Sequence, residues 1–201
     1  MRISRISAFV MAVLAIAVTG GAVAAFASSD QGTSPDTLAS PPARVAGNYS
    51  VLRAAKSASD AVPADVAKGF APSTLDNAHQ LRTQLSRGRS WLASTVDGGI
   101  CLIIELGAAG CQNADNAGRG IVEALGGAGG GPDFKDGEVL IYGVVPDGVT
   151  NATLYLKSGE SQSLKVVGNA ISADVMGPTE RVEYTDAAGA LVTIPAPSYT
   201  G

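Results

Sequence analysis

Hydrophobic and polar positions along this chain follow three successive patterns. The first is a block, residues 8–18 (AFVMAVLAIAV), apolar without interruption. The second, over 49–87, has helical spacing. Val51, Leu52 and Ala55 recur at helical intervals. Pro63 is placed to open a short helical turn that Gly69 ends. The clearest helix is predicted over 74–87, with Ser73 as N-cap and Asp76 three residues on. Leu75, Ala78, Leu81, Arg82 and Leu85 form its stripe and Gly88 its stop. After Gly88 two short runs, 90–96 and 100–106, flank Asp97-Gly98-Gly99 and predict a β-hairpin. Residues 107–120 read as a loop and 121–125 as one more helical turn.

The third pattern has period two. Strands are predicted at 138–144, 152–157, 163–167, 170–175, 181–185 and 191–194. Leu154 and Leu156 face one way and Thr153, Tyr155 and Lys157 the other; Ile171, Ala173 and Val175 oppose Ser172 and Asp174. Pro146-Asp147-Gly148, Ser158-Gly159 and Ala188-Gly189 supply turns. The expected fold class is therefore α+β. A small helix-plus-hairpin part (48–125) is followed by a Gly-rich linker (126–135, containing GGAGGG) and a C-terminal antiparallel β-sandwich-like part (136–195).

The apolar block changes the picture of location. Arg2 and Arg5 precede it, Gly20 and Gly21 end it, and Ala25-Phe26-Ala27 offers the small-x-small pattern of a signal peptidase site before Ser28. Residues 1–27 are expected to be a signal peptide cleaved between Ala27 and Ser28. The alternative is a retained membrane anchor, since 8–27 is long enough to span a bilayer. Residues 28–47, rich in Ser, Pro, Gly and Ala, read as a disordered linker. The expected location is extracytoplasmic, secreted or anchored by the N-terminal segment.

Charge excludes some partners. The chain carries 14 basic and 18 acidic residues. Loss of Arg2 and Arg5 with the leader would take the formal net charge from −4 to −6. An acidic surface with scattered lysines argues against nucleic acid, which needs clustered positive charge. It argues equally against docking on anionic lipid, leaving membrane contact only through an uncleaved N-terminal segment.

Cys101 and Cys111 are the only cysteines, and in an exported chain an isolated pair is expected to join. Their spacing is far from C-x-x-C, and a zinc site lacks two further soft ligands. The one histidine, His79, sits on the border of the predicted helix stripe near Asp76 and reads as a solvated surface residue; no G-x-S-x-G elbow accompanies it. Asp97, Asp136 and Asp147 each precede Gly and serve turns. Asp133/Asp136/Glu138 and Asp115 with Asn113 and Asn116 do not follow the EF-hand pattern. GGAGGG is no phosphate cradle, and Trp91 reads as a core anchor. No catalytic, cofactor or metal residue is assigned.

Several segments in order, YSVLR (49–53), Asp60 with Pro63, a helix leading to Trp91, Cys101-Leu102 with Cys111, and GVVPDGV (143–149), resemble a set of secreted or membrane-anchored actinobacterial proteins with no assigned function. The resemblance spans about 49–195. It implies export and an α+β-then-β layout, and brings no activity or site residue. The expected role is a noncatalytic binding or structural module with a protein or envelope partner. A carboxylate-dependent secreted enzyme, or a protease inhibitor presenting the loop 107–117, is the alternative.

Overall fold

The computed structural model describes residues 41–85, 87–126 and 134–197, all within one compact unit, Asp36–Gly201. Residues 1–27, with the Ala27/Ser28 junction, and most of GGAGGG lie outside the described residues.

The architecture is mostly antiparallel β, with a few short helices. Helix α1 (Ala43–Asn48) and a 3-10 turn (Ser50–Arg53) open it, and α2 spans Pro72–Leu75. Eleven strands follow among the described residues: β1 His79–Gln80, β2 Ser90–Ser94, β3 Ile100–Ile104, β4 Ala108–Gln112, β5 Ile121–Gly126, β6 Glu138–Val144, β7 Asn151–Leu156, β8 Ser161–Lys165, β9 Ala170–Met176, β10 Thr179–Thr185 and β11 Leu191–Pro195. They form three sheets in the orders β1-β2-β3-β4, β5-β6-β9 and β11-β10-β7-β8.

The side chains show how the sheets stack. Leu92, Ile100, Leu102 and Ile104 on one face of the first sheet meet Ile121, Leu125, Leu140 and Tyr142 of the second. On the second sheet's other face, Val122, Val139, Ile141 and Ile171 meet Leu154, Leu164, Val182 and Tyr184 of the third. The outer face of the first sheet carries Trp91, Ala93, Cys101 and Ile103, covered by Val62, Val66, Phe70 and Leu75. The centre of the middle sheet is thus buried on both faces, and β6 has no exposed residue. A strand covered on both sides needs no polar alternation. Each fully buried Leu or Ile here contributes about 2 kcal/mol by removal from water.

Most predicted strands are present, shifted at their ends by up to two residues. The hairpin is present too: β2 and β3 pair with Ser94 opposite Ile100. Four expectations are corrected. The helix over 74–87 ends after one turn, and His79 and Gln80 instead pair with Leu92 and Trp91 in β1. Gln80 lends its N–H to Asp60 at 2.7 Å, and Leu81 bonds Ser90; tertiary partners there outcompete local helical propensity. Residues 108–112, within the expected loop, form β4 on β3. Residues 121–125 are strand β5, paired with β6, and sheet pairing therefore crosses the expected 126–135 boundary. Finally, α1 takes in the last residues, 43–47, of the expected linker 28–47, because Val45, 1% exposed, joins the core with Tyr49 and Leu52.

Cys101 and Cys111 are opposite one another on β3 and β4 and are bonded, with Cα atoms 4.1 Å apart. The bond is compatible with an extracytoplasmic location.

Candidate functional site

Three polar constellations stand out, and the first contains the lone histidine. His79 is 5% exposed, not solvated as expected from the sequence, and its Nδ1 lies 3.9 Å from Asp60 Oδ2. The sequence neighbours of His79 offered no such acid; Asp60 arrives from a separate turn, Ala58–Asp60. That carboxylate accepts from the Ser57 N–H at 2.6 Å, the Ser57 hydroxyl at 2.9 Å and the Gln80 N–H. Burial pushes the Asp60 carboxyl up, but these donors and His79 outweigh it and hold it below the usual range. Burial, with the Lys56 ammonium, pushes His79 down, so the ring is neutral at neutral pH. Asp60 spends one oxygen closing its own turn and the other on the Gln80 N–H of β1, and the His79 contact is too long for a hydrogen bond. The pair braces β1 against the turn that covers Trp91, whose indole N–H donates to Ser59 O at 3.3 Å.

The second constellation holds two carboxyls. Glu138 opens β6 and Asp174 lies near the end of β9, with Arg87 Nη2 2.9 Å from Glu138 Oε1 and 4.0 Å from Asp174 Oδ2. The Lys135 N–H and Arg87 hold the Glu138 carboxyl low, while burial and the Glu138 charge push Asp174 up. The Arg87 guanidinium also stacks over Phe134 at 5.4 Å, and Tyr142 Oη donates to Arg87 O. Together with the Gln84 N–H donating to Ser172 Oγ at 2.9 Å, this fastens residues 82–85 and 87–89 across the middle sheet. Two carboxyls driven apart in acidity can act as acid and base; here both meet Arg87, which ties down that segment.

The third constellation borders an open groove of about 670 Å³. It forms where β6 turns into β7 through Pro146-Asp147-Gly148, beside the Gly168-Asn169 turn between β8 and β9. Gly168 and Asn169 there have φ +54 and +69, the double left-handed turn that suits the twist of adjoining strands. Asn169 is buried and saturates its amide. Its Nδ2 donates to Val145 O at 3.1 Å and Asp147 Oδ1 at 2.9 Å; its Oδ1 accepts from Ser50 Oγ at 2.9 Å and the Val51 N–H at 3.1 Å. Asp147 further accepts from the Ser50 N–H and from Arg53 Nη2, both at 2.8 Å. These donors outweigh the burial that would raise its carboxyl and hold it low. YSVLR and GVVPDGV, far apart in sequence, thus meet at one asparagine. Across the groove stand Ser163 and Lys165 of β8, with Thr150 and Asn151 at the start of β7.

Among the described residues, no three His, Cys, Asp or Glu side chains are grouped so as to hold a metal ion. No described helix is long and apolar enough to cross a membrane. Asp97 and Asp136 lie in turns, as expected, and Trp91 is fully buried. Asp133 lies outside the described residues, and Asn113 Oδ1 accepts from Asn116 at 3.1 Å in a local turn. The sequence reading missed Asn169 and Lys165 as groove residues. Gly168-Asn169 between two predicted strands was the available signal for the turn, but nothing local announced its partners. No protein-family model matches this chain, and neither a curated protein nor a solved structure matches it.

Proposed function

We propose that this chain is an exported, noncatalytic binding module of the cell envelope, with the groove between the Pro146-Asp147-Gly148 turn and β8 as its binding surface. The observation that carries this reading is where the polar groups stand. The groove is bordered by rigid turns anchored on Asn169, with side chains of β7 and β8 available at its rim. The best base, His79, is buried against Asp60 and does not line this groove. Preformed concavity with a few polar groups is what small-ligand recognition needs. Export is supported by the leader pattern of residues 1–27 and by the Cys101–Cys111 bond.

The experiment is a retention assay with the exported protein on isolated cell-envelope material. Retention is expected, and Ser163→Trp, an exposed change that fills the groove, is expected to reduce it about tenfold, as loss of a central contact does. In parallel, ester, glycoside and peptide substrates are expected to give no turnover. Turnover that disappears in a folded His79→Gln protein would overturn the proposal.

A further inference from the structure

The groove's hydrogen-bonding capacity is lopsided. Its carboxylate and its buried amide oxygen are already engaged: Asp147 takes donors from Ser50, Arg53 and Asn169, and Asn169 Oδ1 takes two more from Ser50 and Val51. Its donors are not. The Lys165 ammonium has no acceptor or ion-pair partner among the described residues, and neither has the Ser163 hydroxyl. The N–H groups of Gly148 and Gly168, also in the lining, donate to no described acceptor. Thr150 Oγ1 accepts from Asn151 Nδ2 at 3.3 Å and keeps its own proton to give.

Charge points the same way. Asp147 and Lys165 are the charged residues of the lining, and Arg53, 2.8 Å from Asp147, offsets the former. Lys165 therefore leaves a local positive site on a chain of net charge −4. A donor-rich, locally positive groove is complementary to an acceptor-rich anion, because charge-assisted bonds to a carboxylate or phosphate are the strong ones. The hydroxyls of Thr150 and Ser163 and the Asn151 amide add groups that exchange hydrogen bonds with a polyol.

Resting on the binding-module reading, we infer that the groove takes a sugar bearing an anionic group, a carboxylate or a phosphate, with Lys165 as the contact to the charge. Titration calorimetry on the exported, disulfide-bonded protein tests this with four probes: glucuronate, glucose 6-phosphate, glucose and inorganic phosphate. One or both anionic sugars are expected to bind at least about tenfold more tightly than glucose or inorganic phosphate, the range of a single charge-assisted contact. The tighter anionic sugar identifies the source of the charge. Lys165→Gln is expected to remove that preference, and Lys157→Gln, outside the groove, to leave it intact. Equal affinity for glucose, phosphate binding as tightly as glucose 6-phosphate, an unchanged Lys165→Gln protein, or no binding by either anionic sugar would each overturn the inference. Envelope retention that Ser163→Trp still reduces would, in any of those cases, leave the binding-module reading standing.

Discussion

Asn169 stands at φ +69, is 5% exposed, and joins the β8–β9 turn to the Pro146-Asp147-Gly148 turn and the 3-10 turn Ser50–Arg53. Asparagine tolerates the left-handed region because its short polar side chain can bond locally, and here that side chain supplies the long-range connection. Gly110 shows the reverse economy: a Cβ there would overlap the Glu123 carboxylate, so the missing side chain makes room for an acid on the neighbouring strand. Burial pushes the Glu123 carboxyl up. The residue with the clearest pH consequence is His79. Its pKa in the folded chain lies below the ordinary 6.5, so under acid the unfolded chain binds a proton that the folded chain refuses. Stability should therefore fall as pH drops below about 6.5, with a limiting slope of about 1.4 kcal/mol per pH unit for one proton. Asp60, held low, adds a loss only further down, as pH falls from its ordinary 3.8 through its folded value. Urea midpoints between pH 7 and 5 are expected to slope downward toward acid, and His79→Gln to flatten that slope. A slope unchanged in the variant would contradict the assignment.

Among the elements, legibility in the sequence followed exposure. β7, β9 and β10 have one face toward the core between the second and third sheets, and their alternation places all three correctly. β5 (Ile121–Gly126) lies in the middle sheet, buried on both sides, so IVEAL carries no period-two signal and passes for a helical turn. β4 (Ala108–Gln112) is small and polar because Gly110 yields to Glu123 and Cys111 faces solvent, and such composition reads as loop. The helix over 74–87 had caps and a stripe, yet Leu75 and Ala78 pack on Trp91 while Leu81 joins the opposite core. One local stripe thus served two layers that no local pattern distinguishes. The Cys101–Cys111 pairing was legible because only two cysteines were present. The bond pins β4 to β3, and by the chain-entropy account a closed loop of this size contributes about 2.5 to 3 kcal/mol. The Cys101→Ser/Cys111→Ser protein is expected to lose roughly that amount in denaturant unfolding while keeping the groove. A loss below about 0.5 kcal/mol would show that β4 is held by pairing instead.

In the molecule as a whole, three antiparallel sheets stack about two apolar interfaces, and the turn-bearing segment 58–78 closes the outer face of the first. The groove lies at an end of this stack, where the chain passes from the middle sheet to the third at Pro146-Asp147-Gly148 and returns at Gly168-Asn169. Both crossings are fastened to the N-terminal 3-10 turn through Asn169 and Asp147. The His79–Asp60 pair is elsewhere, at β1 on the edge of the first sheet, and does not line the groove. Binding at the sheet crossing, rather than chemistry at the histidine, is the central claim. It is tested most directly by amide chemical-shift mapping of the disulfide-bonded protein titrated with solubilised envelope polysaccharide. Shifts are expected to concentrate at 146–151 and 163–169; shifts centred on 56–60 and 79–80, with the groove silent, would contradict the account.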